Sequence, residues 1–309
     1  MAISAADRRG LESLELRIKT ILPEEYQDCY EEVEPVSMGS AGLKFGRDGR
    51  VAWSDMWNTF CDLAMAGGPP HKGKLLEAGL RGEVEAQPER YAQVVDEICR
   101  GIEMVTGLRG AASATPGWIR VECGSAGMAG WLARAIVMEN VSARCEDQVL
   151  EVPAGPGYRL EKEIKNVVTV MAKTCHYWLD HMWEAHQRVI GELFASMEGE
   201  WPPVQPALRG YGLEPGRQDV LREKMAGEIS EATGLMPSEA QSEGWLGVEC
   251  PSVRAAIWMM RAMVASNVFA RREEQVLFVP VNAVDDPEGG IVVGVVLRMF
   301  SFAKARGVI

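Results

Sequence analysis

GWIRVECGSAGMAGWLARAIVMENVSARCEDQVLEVP, residues 117–153, decides how this chain folds, because the chain contains it twice. GWLGVECPSVRAAIWMMRAMVASNVFARREEQVLFVP follows 127 positions later, at 244–280, with no gap. The shared pairs include Trp118/Trp245, Glu122/Glu249, Cys123/Cys250, Trp131/Trp258, Arg134/Arg261, Asn140/Asn267, Arg144/Arg271, Gln148/Gln275 and Pro153/Pro280. The same offset aligns Thr106-Gly107-Leu108 with Thr233-Gly234-Leu235 and runs on to Ile309, opposite Met182. Two copies of so long a period mark a duplicated domain and not a solenoid.

Within each copy the apolar spacing alternates between helical and strand periods. The first copy predicts a helix over 91–106, a strand at 118–123 and a helix at 126–139. A hairpin at 141–144 and 148–152 and a long helix from about 160 complete it. The second predicts helix 219–233, strand 245–250, helix 252–265, hairpin 268–280 and helix 288–305. The expected fold class is therefore α/β (α+β), a tandem α-β-α-β-β-α unit. Its β-α-β crossover and hairpin imply small mixed sheets covered by helices. Upstream, Leu11, Leu14, Ile18 and Leu22 mark a helix, and a hairpin turns at 46–49. A further helix, with Ser54 as N-cap, ends where Gly67-Gly68-Pro69-Pro70 cannot continue it. The expected divisions are 1–90, 91–190, a Pro- and Gly-bearing linker at 191–218, and 219–309.

A net charge of −12 argues against nucleic acid as partner, and no run of about 18 apolar residues suggests a membrane span. The amino terminus lacks a signal-peptide core, and seven scattered cysteines show no CxxC spacing. Both features predict a cytoplasmic protein with reduced thiols.

Most residues shared by the copies read as core and framework. Glu122/Glu249 and Arg134/Arg261 suggest repeated ion pairs or two ligand-binding pairs. Cys123 and Cys250 stand between a strand and a helix N-terminus, where a thiol can become acidic, although a buried small thiol fits the pattern better. Chemistry is expected where the copies differ. The helix after repeat one ends AKTCHYWLDHMWEAHQ, against RMFSFAKARGVI in repeat two. His176, Asp180 and Glu184 share one helical face at intervals of four, so they form a candidate divalent-metal set. His176 oriented by Asp180 is equally a candidate general base. On a continuous helix His181 lies well around from His176. The fourth histidine, His71, sits with Lys72 and Lys74 in the loop GGPPHKGK, where glycines admit a ligand and lysines attract an anion. Ser40 in the small-residue loop Gly39–Gly42, with Cys61 and Asp62, is an expected neighbour.

Two functions fit. One is a small-molecule enzyme or cofactor-handling biosynthetic protein acting on an anionic substrate, by acid–base or metal-assisted chemistry. Its catalytic residues are His176, Asp180 and His71, and its binding residues Lys72, Lys74 and Ser40. The other is a non-catalytic scaffold, complex subunit or assembly factor, self-associating or bound to a protein partner.

Overall fold

The computed structural model describes residues 4–28, 42–55, 74–208, 216–239 and 243–309. Ser40, Cys61, Asp62, His71 and Lys72 lie outside the described residues. The protein is a mixed α/β fold with two small sheets. It divides into two compact units, Val33–Arg188 and Met1–Glu32 with Val189–Ile309. We call them the central and the composite unit. Residues 1–90 thus contribute to both.

In the central unit, α2 (Arg81–Ala86) and α3 (Pro88–Thr106) precede β1 (Gly110–Ala112) and β2 (Trp118–Glu122). Then come α4 (Ala126–Met138), β3 (Arg144–Glu146), β4 (Val149–Pro153) and, after one wide π turn (Leu160–Ile164), α5 (Lys165–Asp180). The strand order is β1-β2-β4-β3, and every pairing is antiparallel. The expected mixed sheet is therefore corrected. Asp147, at φ 50°, closes a tight hairpin that returns β4 beside β3. The chain leaving α4 skips one position, so β4 slots between β2 and β3 and no parallel neighbours form.

The composite unit repeats this order. Helix α1 (Ala5–Ile21) comes first, and α6 (Glu184–Glu198) contains the boundary between units. Residues 191–198, expected as linker, thus belong to a helix whose Ile190, Phe194 and Met197 are buried. After α7 (Arg217–Thr233) come β5 (Trp245–Glu249), α8 (Val253–Val264), β6 (Arg271–Glu273), β7 (Val276–Pro280) and α9 (Gly290–Arg306). The order β5-β7-β6 is again antiparallel. Trp118 pairs with Pro153 and Trp245 with Pro280, so the registers correspond. Where the central unit has β1, the described residues of the composite unit have one bridge position, Pro237 with Val248.

Helices α4 and α8 are apolar around nearly their whole circumference, as buried helices must be. Each packs between its sheet and a long helix, α5 or α9. Ser125 and Ser252 start them, accepting hydrogen bonds from Met128 N–H and Ala255 N–H at 3.1 Å. Trp258, Ile136, Met171 and Phe269 are among the fully buried core side chains. Burial of such a side chain contributes about 1.5–3 kcal/mol.

Each helix before the hairpin is followed by a residue in the left-handed region, Asn140 (φ 58°) or Asn267 (φ 62°). Their carbonyls accept from an extended upstream segment. Leu76 N–H donates to Asn140 O at 2.8 Å, and Val204 N–H to Asn267 O at 3.0 Å. In the central unit this segment runs so close that a Cβ on Gly117 (φ 89°) would lie 2.3 Å from Gly79 O, which makes glycine obligatory there.

The hairpin at 46–49 is present, with Gly46 N–H donating to Arg50 O at 2.8 Å. Ser54 is not an N-cap: Trp53 is already helical, and the Ser54 hydroxyl donates to Met104 O at 3.1 Å. Glu97 on α3 ties this hairpin down. It accepts from Trp53 Nε1 at 2.9 Å and pairs with Arg50 (2.9 Å) and Arg100 (2.5 Å). Partial burial would raise the carboxyl's pKa, but these donors outweigh it and hold it below the usual range. Among the described residues no helix is long and apolar enough to cross a membrane.

Candidate functional site

Helix α5 buries Val167, Met171, Thr174 and Trp178 against the unit, which leaves His176 and Asp180 on its outer side. The helix stops at Asp180. His181 has left the regular helix (φ −111°, ψ −9°) and caps it, donating its backbone N–H to Tyr177 O at 3.2 Å. Gln187, on α6, closes the end by donating to Trp178 O (2.7 Å) and Met182 O (2.9 Å). The first of these bonds satisfies a carbonyl that the helix end leaves open.

This stop sets the geometry. His181 folds back over α5 instead of continuing around it. Its Nε2 lies 3.2 Å from His176 Nε2, with ring centres 4.9 Å apart and planes at 73°. The Tyr177 ring lies 5.6 Å from that of His181. On the other side, His176 Nδ1 is 2.5 Å from Asp180 Oδ2. Asp180, His176 and His181 thus form a continuous chain. The carboxylate thus faces one ring nitrogen of His176 and the His181 ring faces the other.

The expected set of His176, Asp180 and Glu184 is not assembled. Glu184 begins α6, after the break, so the spacing of four no longer carries it onto the face of α5. Among the described residues no three His, Cys, Asp or Glu side chains are placed to hold a metal ion together. Lys74 is exposed at the start of the extended segment, and His186 is half-buried on α6.

The thiols of Cys123 and Cys250 are not activated. Burial pushes Cys123 and Cys250 each up to about 12, and Cys175 is raised as well. A helix N-terminus nearby does not offset desolvation at these depths. Glu122 and Arg134 do not make a shared ligand pair in the central unit. Glu122 is exposed beside Arg120 at 3.4 Å, whereas Arg134 is buried and donates to Gly130 O at 2.8 Å.

One pair went unanticipated. Lys173 and Glu139 form an ion pair at 3.3 Å with side chains only 1% and 5% exposed. The Lys173 ammonium lies 6.0 Å over the Tyr177 ring, on the α5 face that leads to His181. The composite unit has Phe300 and Ser266 at the corresponding positions, 127 residues on. That contrast was readable in the sequence, but a lysine among Val170, Met171 and Cys175 resembles any surface lysine until packing buries it.

No family model matches the chain, and neither a curated protein nor a solved structure shows significant similarity to it.

Proposed function

We propose that the chain is a small-molecule enzyme, or a cofactor-handling biosynthetic protein, whose acid–base centre is the end of α5. The observation that carries this reading is the Asp180–His176–His181 chain. A carboxylate at 2.5 Å orients one imidazole, and a second imidazole at 3.2 Å is placed to pass a proton on. His176 would act as the acid or base, Asp180 as its orienting group and His181 as the relay. His71, Lys72, Lys74 and Ser40 belong to this proposal as binders of an anionic substrate. The free state of the described cysteines supports a cytoplasmic setting.

The framework is read as a tandem duplication in which only one copy keeps chemistry. Matching strand registers support it, as do left-handed residues at Asn140/Asn267 and Asp147/Glu274, each pair 127 apart. At the positions of His176, Asp180 and His181 the composite unit has Ala303, Gly307 and Val308.

The test is untargeted mass spectrometry of a small-metabolite extract incubated with wild type or with His176→Ala. Wild type should consume at least one component, and the variant should do so at least about 100-fold more slowly, the usual span for a lost acid–base group. Identical profiles from the two proteins would sink the enzyme reading.

A second reading, a scaffold or complex subunit, is favoured by Leu179 and Trp183, 52% and 76% exposed beside the histidines. Aromatic anchors of this kind concentrate binding energy at interfaces. If Trp183→Ser changes the sedimentation coefficient and leaves turnover intact, the subunit role gains.

A further inference from the structure

We propose that α1 and α9 of the composite unit hold a small phosphate ester between Arg17 and Arg298. This site does not rest on the acid–base reading, which concerns α5 of the central unit.

The first argument is placement. Gly10, Leu14, Arg17 and Ile21 fall on one stripe of α1 by their helical spacing. Leu14 and Ile21 are buried there, and Arg17 is half-buried. Helix α9 meets this stripe at Gly10. A Cβ on that residue would lie 3.0 Å from the Phe302 ring and 3.1 Å from Arg298 Nη2. The bare glycine thus lets the Arg298 guanidinium rest against the α1 backbone. Arg17 stands about two turns further along the same stripe. Its Cα–Cβ bond tilts toward the start of the helix, and so toward Gly10.

The second argument is unbalanced charge. Residues 290–309 carry Arg298, Lys304 and Arg306 and no Asp or Glu, in a chain whose net charge is −12. Arg306 meets Glu15 of α1 at 3.0 Å, and the Lys304 ammonium lies 4.8 Å from the centre of the Phe300 ring. Arg17 and Arg298, by contrast, form no ion pair or hydrogen bond among the described residues. Burial lowers the pKa of Arg17. The charge of Glu200 opposes this shift, and that of Arg298 adds to it. The two guanidinium groups therefore feel each other while lacking a bridging carboxylate. Arginine does not shed its proton in a protein, so an anion is what relieves the pair.

The third argument is the match to a ligand. Arg298 lies over the Phe302 ring at 5.3 Å, which keeps its in-plane N–H donors for another partner. A guanidinium fork gives two parallel hydrogen bonds to phosphate oxygens. A phosphate ester carries about −1.5 to −2 charges at pH 7 and neutralises both arginines, where a single carboxylate neutralises one. The acidic chain repels an extended polyanion, so the fitting ligand is a small ester and not a nucleic acid.

The experiment titrates the full chain with methyl phosphate, and separately with acetate, in a calorimeter at low ionic strength. Wild type should bind one methyl phosphate per chain, with an affinity that falls as salt rises. Acetate should bind about tenfold more weakly or worse. Arg17→Met and Arg298→Met should each weaken methyl phosphate by about tenfold or more. Arg8→Met, on the opposite side of α1, should change nothing. Absence of saturable binding, wild-type affinity in Arg17→Met, or equal loss in Arg8→Met overturns the assignment. Acetate bound as tightly as methyl phosphate overturns the ester. Should a methionine variant fold poorly, wild type alone decides. Methyl phosphate must then shift the Nε–H resonances of two arginines, and a uniform shift of all of them overturns the proposal.

Discussion

The two sheets have matching registers and opposite outer faces. In the central unit that face is charged and wet. Arg120 and Glu122 stand on β2, and Arg144 faces Glu151 across β3 and β4 at 3.6 Å, with Ser113 also hydrogen-bonded to Glu151. In the composite unit the corresponding face is dry. Gly247 replaces Arg120, and Phe278 replaces Glu151. Arg271, the counterpart of Arg144, is fully buried and lies 3.8 Å over the Phe278 ring and 5.2 Å from Trp245, paired with Glu273 at 2.6 Å. One arginine in one register position is thus a surface ion pair in one unit and a desolvated cation stacked on aromatic rings in the other. The cross-strand neighbour decides which, since directly opposed side chains are the closest contacts on a sheet face.

The helix layer shows the reverse asymmetry. There the central unit carries the buried charge, Lys173 with Glu139, where the composite unit has Phe300 and Ser266. Removal of one member takes a charge partner from the other in a low-dielectric core. Lys173→Ala should therefore cost about 3–5 kcal/mol, the largest of the effects predicted for these contrasts. The double replacement Lys173→Phe with Glu139→Ser installs the composite unit's solution and should recover most of that loss. Urea unfolding of the three proteins tests it. A double variant no better than the single one would mean that the pair is not energetically coupled.

The two arginines come next. Arg271→Ala removes a stacked, buried guanidinium and should cost about 2–3 kcal/mol. Arg144→Ala breaks a partly exposed pair and should cost about 1 kcal/mol or less. Equal unfolding midpoints for the two variants would erase the distinction between the sheet faces.

The smallest effect concerns α3 and α7. Glu97 binds the Arg50–Trp53 hairpin, whereas its counterpart Lys224 reaches Glu288 at 3.1 Å. Because the folded-state pKa of Glu97 is depressed, its contribution is present above its ordinary value of 4.5 and is lost as pH falls below that. Glu97→Gln should lower Tm at pH 7 and flatten its acid decline below pH 4.5. An unchanged acid slope would show that other carboxylates govern it.

The site was half legible. His176 and Asp180 stand four apart on one helix, and that local spacing put them together correctly, 2.5 Å apart. His181 was assigned to another face because the helix was assumed to continue. At its stop, Gln187 of the next helix donates to Trp178 O and Met182 O, a contact that helical spacing does not contain. The same stop carried Glu184 away from the set.

By itself the sequence determined most of the element order, with α2, β1 and α6 the exceptions, and the tight local geometry. Helices, hairpins and left-handed corners such as Asn140 and Asp147 follow from short-range spacing and steric preference, and the offset of 127 wrote most of them twice. Only the tertiary structure decided that β4 inserts between β2 and β3, which sheet face is dry, that Lys173 is buried, and that two histidines converge. Those outcomes rest on neighbours distant in the chain. Desolvation and packing act on whatever the fold brings together, and residue type alone does not carry that information.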